Sequence, residues 1–203
     1  MNILGRGLKI GRVFSFVLLL AAWGAVGAGT NAFPQGSEAS EYQVKAAFLY
    51  NFAKFVEWPP DVPSRKDDPI RICIVGENPF GNYLNESTEE KTINGRKLVI
   101  WELKSVQDAK GCQIVFIGAS EKYHLRASLE SMKGAPVLTV GDTEGFAQAG
   151  GMINFTLEEN MVRFEVNVDA AERARLKISS KLLSLAKVVK SHDQVQNGMK
   201  SRL

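Results

Sequence analysis

Histidine is almost missing from this chain: His124 and His192 are the only two in 203 residues. A metal centre built on imidazole needs further ligands at set spacings, and neither histidine has a candidate nearby. Both read as surface residues. No G-x-S-x-G occurs and no cysteine is placed to pair with a histidine, so nucleophilic catalysis has no visible machinery. The phosphate-binding G-K-[ST] and the dinucleotide signature G-x-G-x-x-G are absent too. The expectation is a protein that is not an enzyme and carries no metal and no cofactor. Cysteine is scarce as well, with Cys73 and Cys112 alone. Two readings stay open for them, a disulfide or two small buried hydrophobes.

Net charge is also lacking once the ends are weighed. The first 32 residues have the form of a secretory signal: Arg6, Lys9 and Arg12, then an apolar run from Val13 to Val26, then small residues from Gly27 to Ala32. The run is shorter than the ~20 apolar residues of a spanning helix and is broken at Gly24 and Gly27. Cleavage is expected rather than a permanent anchor, and no cysteine near the cut offers a lipid attachment. Of 25 basic residues the leader holds three, which leaves 22 against 22 acidic ones. A nucleic-acid partner therefore has no electrostatic support. The mature chain is expected to be exported and not embedded in a membrane.

What remains is one domain's worth of chain, and the whole sequence, 45% hydrophobic, leaves it enough apolar residues to bury a sizeable core. The expected organisation is a signal peptide over 1–32, a lead-in over 33–40, one α/β domain over 41–190 and a polar tail over 191–203. Ser40 and Gln43 form a capping-box pattern, so a helix is expected from Glu41 to Glu57, ended by Trp58-Pro59-Pro60. Phe48, Leu49, Phe52, Phe55 and Val56 give it a wider apolar surface than one core-facing stripe needs. Ile70–Val75, Lys97–Leu103, Gln113–Ile117 and Pro136–Val140 read as strands, with short helices from Asn78 and over Glu121–Met132 between them. Gly151–Leu157 and Met161–Val166 read as a hairpin turning at Glu158-Glu159-Asn160. Helices over Asn167–Leu176 and from Ser179 or Ser180 to Val189 close the chain. The fold class is a single three-layer α/β domain, with a mostly parallel sheet and an antiparallel hairpin at one edge.

Two places could carry function. Asp142 follows the strand Pro136–Val140, at the carboxyl end where α/β folds build their sites. It reads first as the cap of a short helix Thr143–Gln148, among turn-forming glycines at 141, 145, 150 and 151, and alternatively as part of a small-ligand pocket. In the hairpin, Arg163, Glu165 and Asn167 alternate with Val162, Phe164 and Val166. The polar three share one face, expected to be solvated with an Arg163–Glu165 ion pair.

Four motifs in order resemble a known family: Tyr42-Gln-Val-Lys-Ala-Ala-Phe-Leu-Tyr-Asn-Phe-Ala-Lys-Phe-Val-Glu-Trp-Pro59, Ile72-Cys-Ile-Val-Gly76, Cys112-Gln-Ile-Val-Phe-Ile-Gly118, and the stretch from Leu138 to Ala186. That last stretch contains Leu138-Thr-Val-Gly-Asp142 and Arg163-Phe-Glu-Val-Asn167. The chain resembles the YfiR-like periplasmic regulators over about residues 42 to 189. The resemblance implies a periplasmic repressor that binds the extracytoplasmic domain of an inner-membrane diguanylate cyclase or sensor kinase, lowering cyclic di-GMP output and biofilm formation. A periplasmic small-ligand-binding module is the alternative. It also implies a homodimer, a Cys73–Cys112 disulfide, and a partner face holding Glu165, with Arg163 and Asn167 as its neighbours. Some members carry a second cysteine pair near Gly145–Gly151, and this chain has none.

Overall fold

The computed structural model describes residues 35–61 and 68–191. The expected signal peptide, the start of the lead-in and the tail from His192 lie outside the described residues. The elements run α1 (Gln35–Phe55), β1 (Val56–Glu57), β2 (Ile70–Val75), α2 (Tyr83–Thr88), β3 (Thr92–Ile93), β4 (Arg96–Leu103), β5 (Ile114–Ile117), α3 (Leu125–Ser131), β6 (Leu138–Gly141), β7 (Ile153–Glu158), β8 (Met161–Asn167), α4 (Val168–Arg173), β9 (Lys177–Ile178), α5 (Ser180–Leu183) and β10 (Lys187–Val189).

Eight strands form one sheet in the order β10-β8-β7-β6-β5-β2-β4-β3. The run from β4 to β7 is parallel, and β8 returns antiparallel to β7. Strands buried on both faces explain the apolar runs of β5 and of β2, which only the half-buried Arg71 interrupts. Ile72, Ile74, Ile114 and Phe116 point into a core with α1 and α5. Cys73, Val75, Val115 and Ile117 point the other way, into a second core with α3. Helices on both sides of a mostly parallel sheet are the expected three-layer α/β class.

The hairpin turns at Glu159 and Asn160, whose φ angles of 50° and 61° match a two-residue loop that needs both central residues left-handed. The Cys73–Cys112 disulfide is formed and joins β2 to the loop entering β5. Ser179 caps α5, its side chain accepting from the Leu182 amide.

Several local expectations fail, and the helix expected from Asn78 begins only at Tyr83. Helix α1 starts at Gln35, so Ser40 lies inside it; Glu38 in the first turn suits the helix dipole, and a capping preference of about 1 kcal/mol does not stop extension. Its last expected turn is instead β1, paired with β9. The helix expected over Glu121–Met132 is split: a 3-10 turn at Ala119–Glu121 precedes α3, which starts only at Leu125. The closing helix ends at Leu183, and Lys187–Val189 pairs parallel with β8, because the β-branched Val188 and Val189 can satisfy an edge that would otherwise stand open.

No helix forms over Thr143–Gln148 either. That segment is a series of turns wrapped around the buried ring of Phe146, which is held between Gly141 and Gly151. A methyl group at either glycine would overlap the ring. Gly151→Ala is therefore expected to cost about 1–3 kcal/mol by overpacking, and Gly151→Ala with Phe146→Leu to recover part of it. Urea denaturation of both variants is the check.

Candidate functional site

Asp142 stands one residue past β6, and its side chain is only 4% exposed. It does not cap a helix. Its partners come from α1, one turn apart: Tyr42 donates its hydroxyl to Asp142 Oδ2 at 2.9 Å, and Lys45 Nζ donates to the same oxygen at 2.9 Å. Lys45 also pairs with Glu41, four residues back on the helix. Its ammonium lies 4.2 Å from the centroid of the Tyr42 ring, a cation–π contact. Lys45 is 3% exposed, so this is a buried charge held by two carboxylates and a ring.

Burial pushes the Tyr42 phenol far above its usual range, reinforced by the Asp142 charge and by the bond its proton makes to that carboxylate. A raised folded-state value gives stability that is complete below the unfolded value, about 10, and is lost as pH rises beyond it. Unfolding free energies measured by urea between pH 8 and 11 should fall more steeply in the wild-type chain than in Tyr42→Phe. Parallel curves would refute this linkage.

The hairpin residues fall out differently from their alternation. Arg163 is exposed, as expected. Glu165 is 7% exposed and Asn167 is fully buried, so the polar face is solvated only at its outer end. The reason is that β10 and the 145–150 turns pack over the inner end. Glu165 pairs with Lys187 of β10 at 3.1 Å and accepts from Gln148 Nε2 at 3.0 Å, in place of the expected pairing with Arg163. Asn167 is structural: Nδ2 donates to the Ala147 carbonyl at 2.8 Å and to Ser191 Oγ at 2.7 Å, while Oδ1 caps α4 through the Ala170 amide. Sequence reasoning missed Tyr42, Lys45, Gln148 and Lys187. Only Lys45 left a signal, as a lysine four residues after Glu41 in an otherwise apolar motif.

Two depressions result. A groove of about 540 Å³ is lined by Glu41, Lys45 and Asp142 on one side and by Gln148, Thr156 and Glu165 on the other. Beside it, a larger one of about 910 Å³ runs between the first half of α1 and the hairpin tip, past Val44, Phe48, Leu157, Met161 and Arg163. Val44, Leu157 and Met161 are 41%, 53% and 47% exposed, an apolar patch with a cation at its rim. The rest of the wide apolar surface of α1 and of β1 after it is covered within the chain: Leu49, Phe52 and Val56 are core, and Phe48 and Phe55 pack against it.

The sequence profile of the YfiR/HmsC-like family matches residues 42–187, most of the chain. The chain belongs to that family. Its members are periplasmic regulators without known enzymatic activity, and among the described residues no helix is long and apolar enough to cross a membrane. Among solved structures, a conserved domain protein from Vibrio cholerae is similar in fold, with a TM-score of 0.51 at 13% identity over 71% of this chain and 60% of that one. An ABC domain in complex with L-Trp from Streptococcus pneumonia has a TM-score of 0.49 at 9% identity, over 73% and 60%. This chain thus spans about 60% of each of those structures.

Proposed function

We propose that this YfiR/HmsC-like chain docks on the extracytoplasmic domain of an inner-membrane diguanylate cyclase or sensor kinase and holds it in its inactive state. To repress, it must bind the inactive conformation better than the active one, which shifts the population and lowers cyclic di-GMP. The observation that carries the reading is the patch of Val44, Leu157 and Met161 beside Arg163, at the junction of two family motifs. Exposed apolar groups with a rim arginine are what contact surfaces are enriched in. Glu165 then contributes from behind, by fixing the hairpin against β10, and Asn167 by capping α4.

The test is a pull-down from membranes and a titration with the captured partner's soluble domain. Leu157→Asp and Met161→Asp should weaken binding at least tenfold and raise cyclic di-GMP and surface attachment in the host, with unchanged melting temperatures. Normal binding by both variants would remove the hairpin tip from the interface. The homodimer that the resemblance implies is tested by light scattering at micromolar concentration; α1 offers it only Val44 as an uncovered apolar residue among Val44, Leu49 and Phe52.

A further inference from the structure

We infer that the groove between α1, the turns after β6 and the hairpin binds a ligand through a protonated amine or guanidinium group. Three observations point there together. Its lining carries four carboxylates, Glu41, Asp142, Glu144 and Glu165, against one ammonium, Lys45, with a second, Lys187 of β10, reaching Glu165 from outside the lining. Three buried oxygens on residues of that same lining have no hydrogen-bond partner: Asp142 Oδ1, Gln148 Oε1 and Thr156 Oγ1. Finally, Asp142 is more than nine-tenths buried at the floor, and both of its donors, Tyr42 and Lys45, go to Oδ2.

Buried acceptors without donors are rare in folded proteins and call for a cause. At Gln148 the cause is geometric: its amide nitrogen must face the Glu165 carboxylate, which can only accept, so the carbonyl oxygen turns the other way. The need is thus for donors, and three of them, at a place already rich in negative charge. An ammonium offers three N–H donors and a guanidinium five, and charge-assisted bonds shielded from bulk water are the strong ones. An anion would meet the four carboxylates. A metal ion is disfavoured, because the described residues hold no cluster of three or more ligating side chains. A volume of about 540 Å³ suits a small organic molecule or one long side chain. This inference does not depend on the docking partner.

The experiment is isothermal titration of the full mature protein with 1,4-diaminobutane, the neutral 1,4-butanediol and the anionic succinate, at matched ionic strength. The diamine should bind with heat and raise the melting temperature, while the diol and succinate should not. Thr156→Val removes one acceptor without touching an ion pair and should weaken the diamine about tenfold, roughly the worth of one lost hydrogen bond. Gln148→Leu should do the same. A blocked lysine that binds better than the diamine assigns the site to a partner's side chain; the reverse order assigns it to a free solute. No diamine binding at millimolar concentration, equal binding of the diol, or full diamine affinity in both variants would each overturn the inference.

Discussion

Refolding the mature domain with its disulfide reduced should lower its stability by about 4 kcal/mol, because the Cys73–Cys112 bond closes a loop of 39 residues in the unfolded chain. For a domain of this size each kcal/mol is worth about 2–4 °C, so the melting temperature should drop by about 8–15 °C. Reduction is a cleaner probe than substitution here. Cys73 is fully buried and Cys112 is 3% exposed, and both pack in the core beneath α3. Two thiols keep that volume filled, whereas Cys73→Ala with Cys112→Ala also leaves a cavity and should cost more. Since neither sulfur faces solvent, the reductant must act on the unfolded chain, with mass spectrometry confirming two thiols after refolding. Melting curves that coincide with and without the bond would show that the unfolded ensemble already holds β2 and β5 together.

The sheet was legible because its strands announce themselves locally. Ile70–Val75, apart from the half-buried Arg71, and Ile114–Ile117 are apolar runs rich in β-branched residues and buried on both faces, and a two-residue turn at Glu159-Asn160 joins alternating segments. What failed was whatever depends on a partner far along the chain. Lys187–Val189 becomes a strand only because β8 offers an edge, and spacing from Leu182 to Val189 suits a helix equally well. Glu165 reads as outward until β10 and Gln148 cover it. Asp142 reads as a cap because local hydrogen bonding is what aspartate does at turns, yet its two donors lie about a hundred residues away on α1. The site was therefore half visible: the right aspartate, without the lysine and tyrosine that hold it.

Removing that lysine should be the most damaging single change in this region. Lys45→Met is expected to cost about 3–5 kcal/mol, since it deletes the one cation between Glu41 and Asp142 and leaves buried carboxylate charge without a counter-charge. Asp142→Leu should cost less, because Lys45 keeps Glu41, whose side chain is 18% exposed and so retains part of its hydration. The asymmetry separates an ion-pair role from mere packing: if Lys45 mattered only for its aliphatic stem, methionine would replace it at little cost. Combining Lys45→Met with Asp142→Leu removes both buried charges and puts apolar groups beside Phe155, whose ring lies 5.9 Å from the lysine nitrogen. The double variant should then be more stable than Lys45→Met alone, as replacing a buried pair with apolar groups is often neutral or better. Urea denaturation of the three variants gives the coupling energy directly. Additive losses, with the double variant the least stable of the three, would mean that Lys45 and Asp142 do not act as a pair.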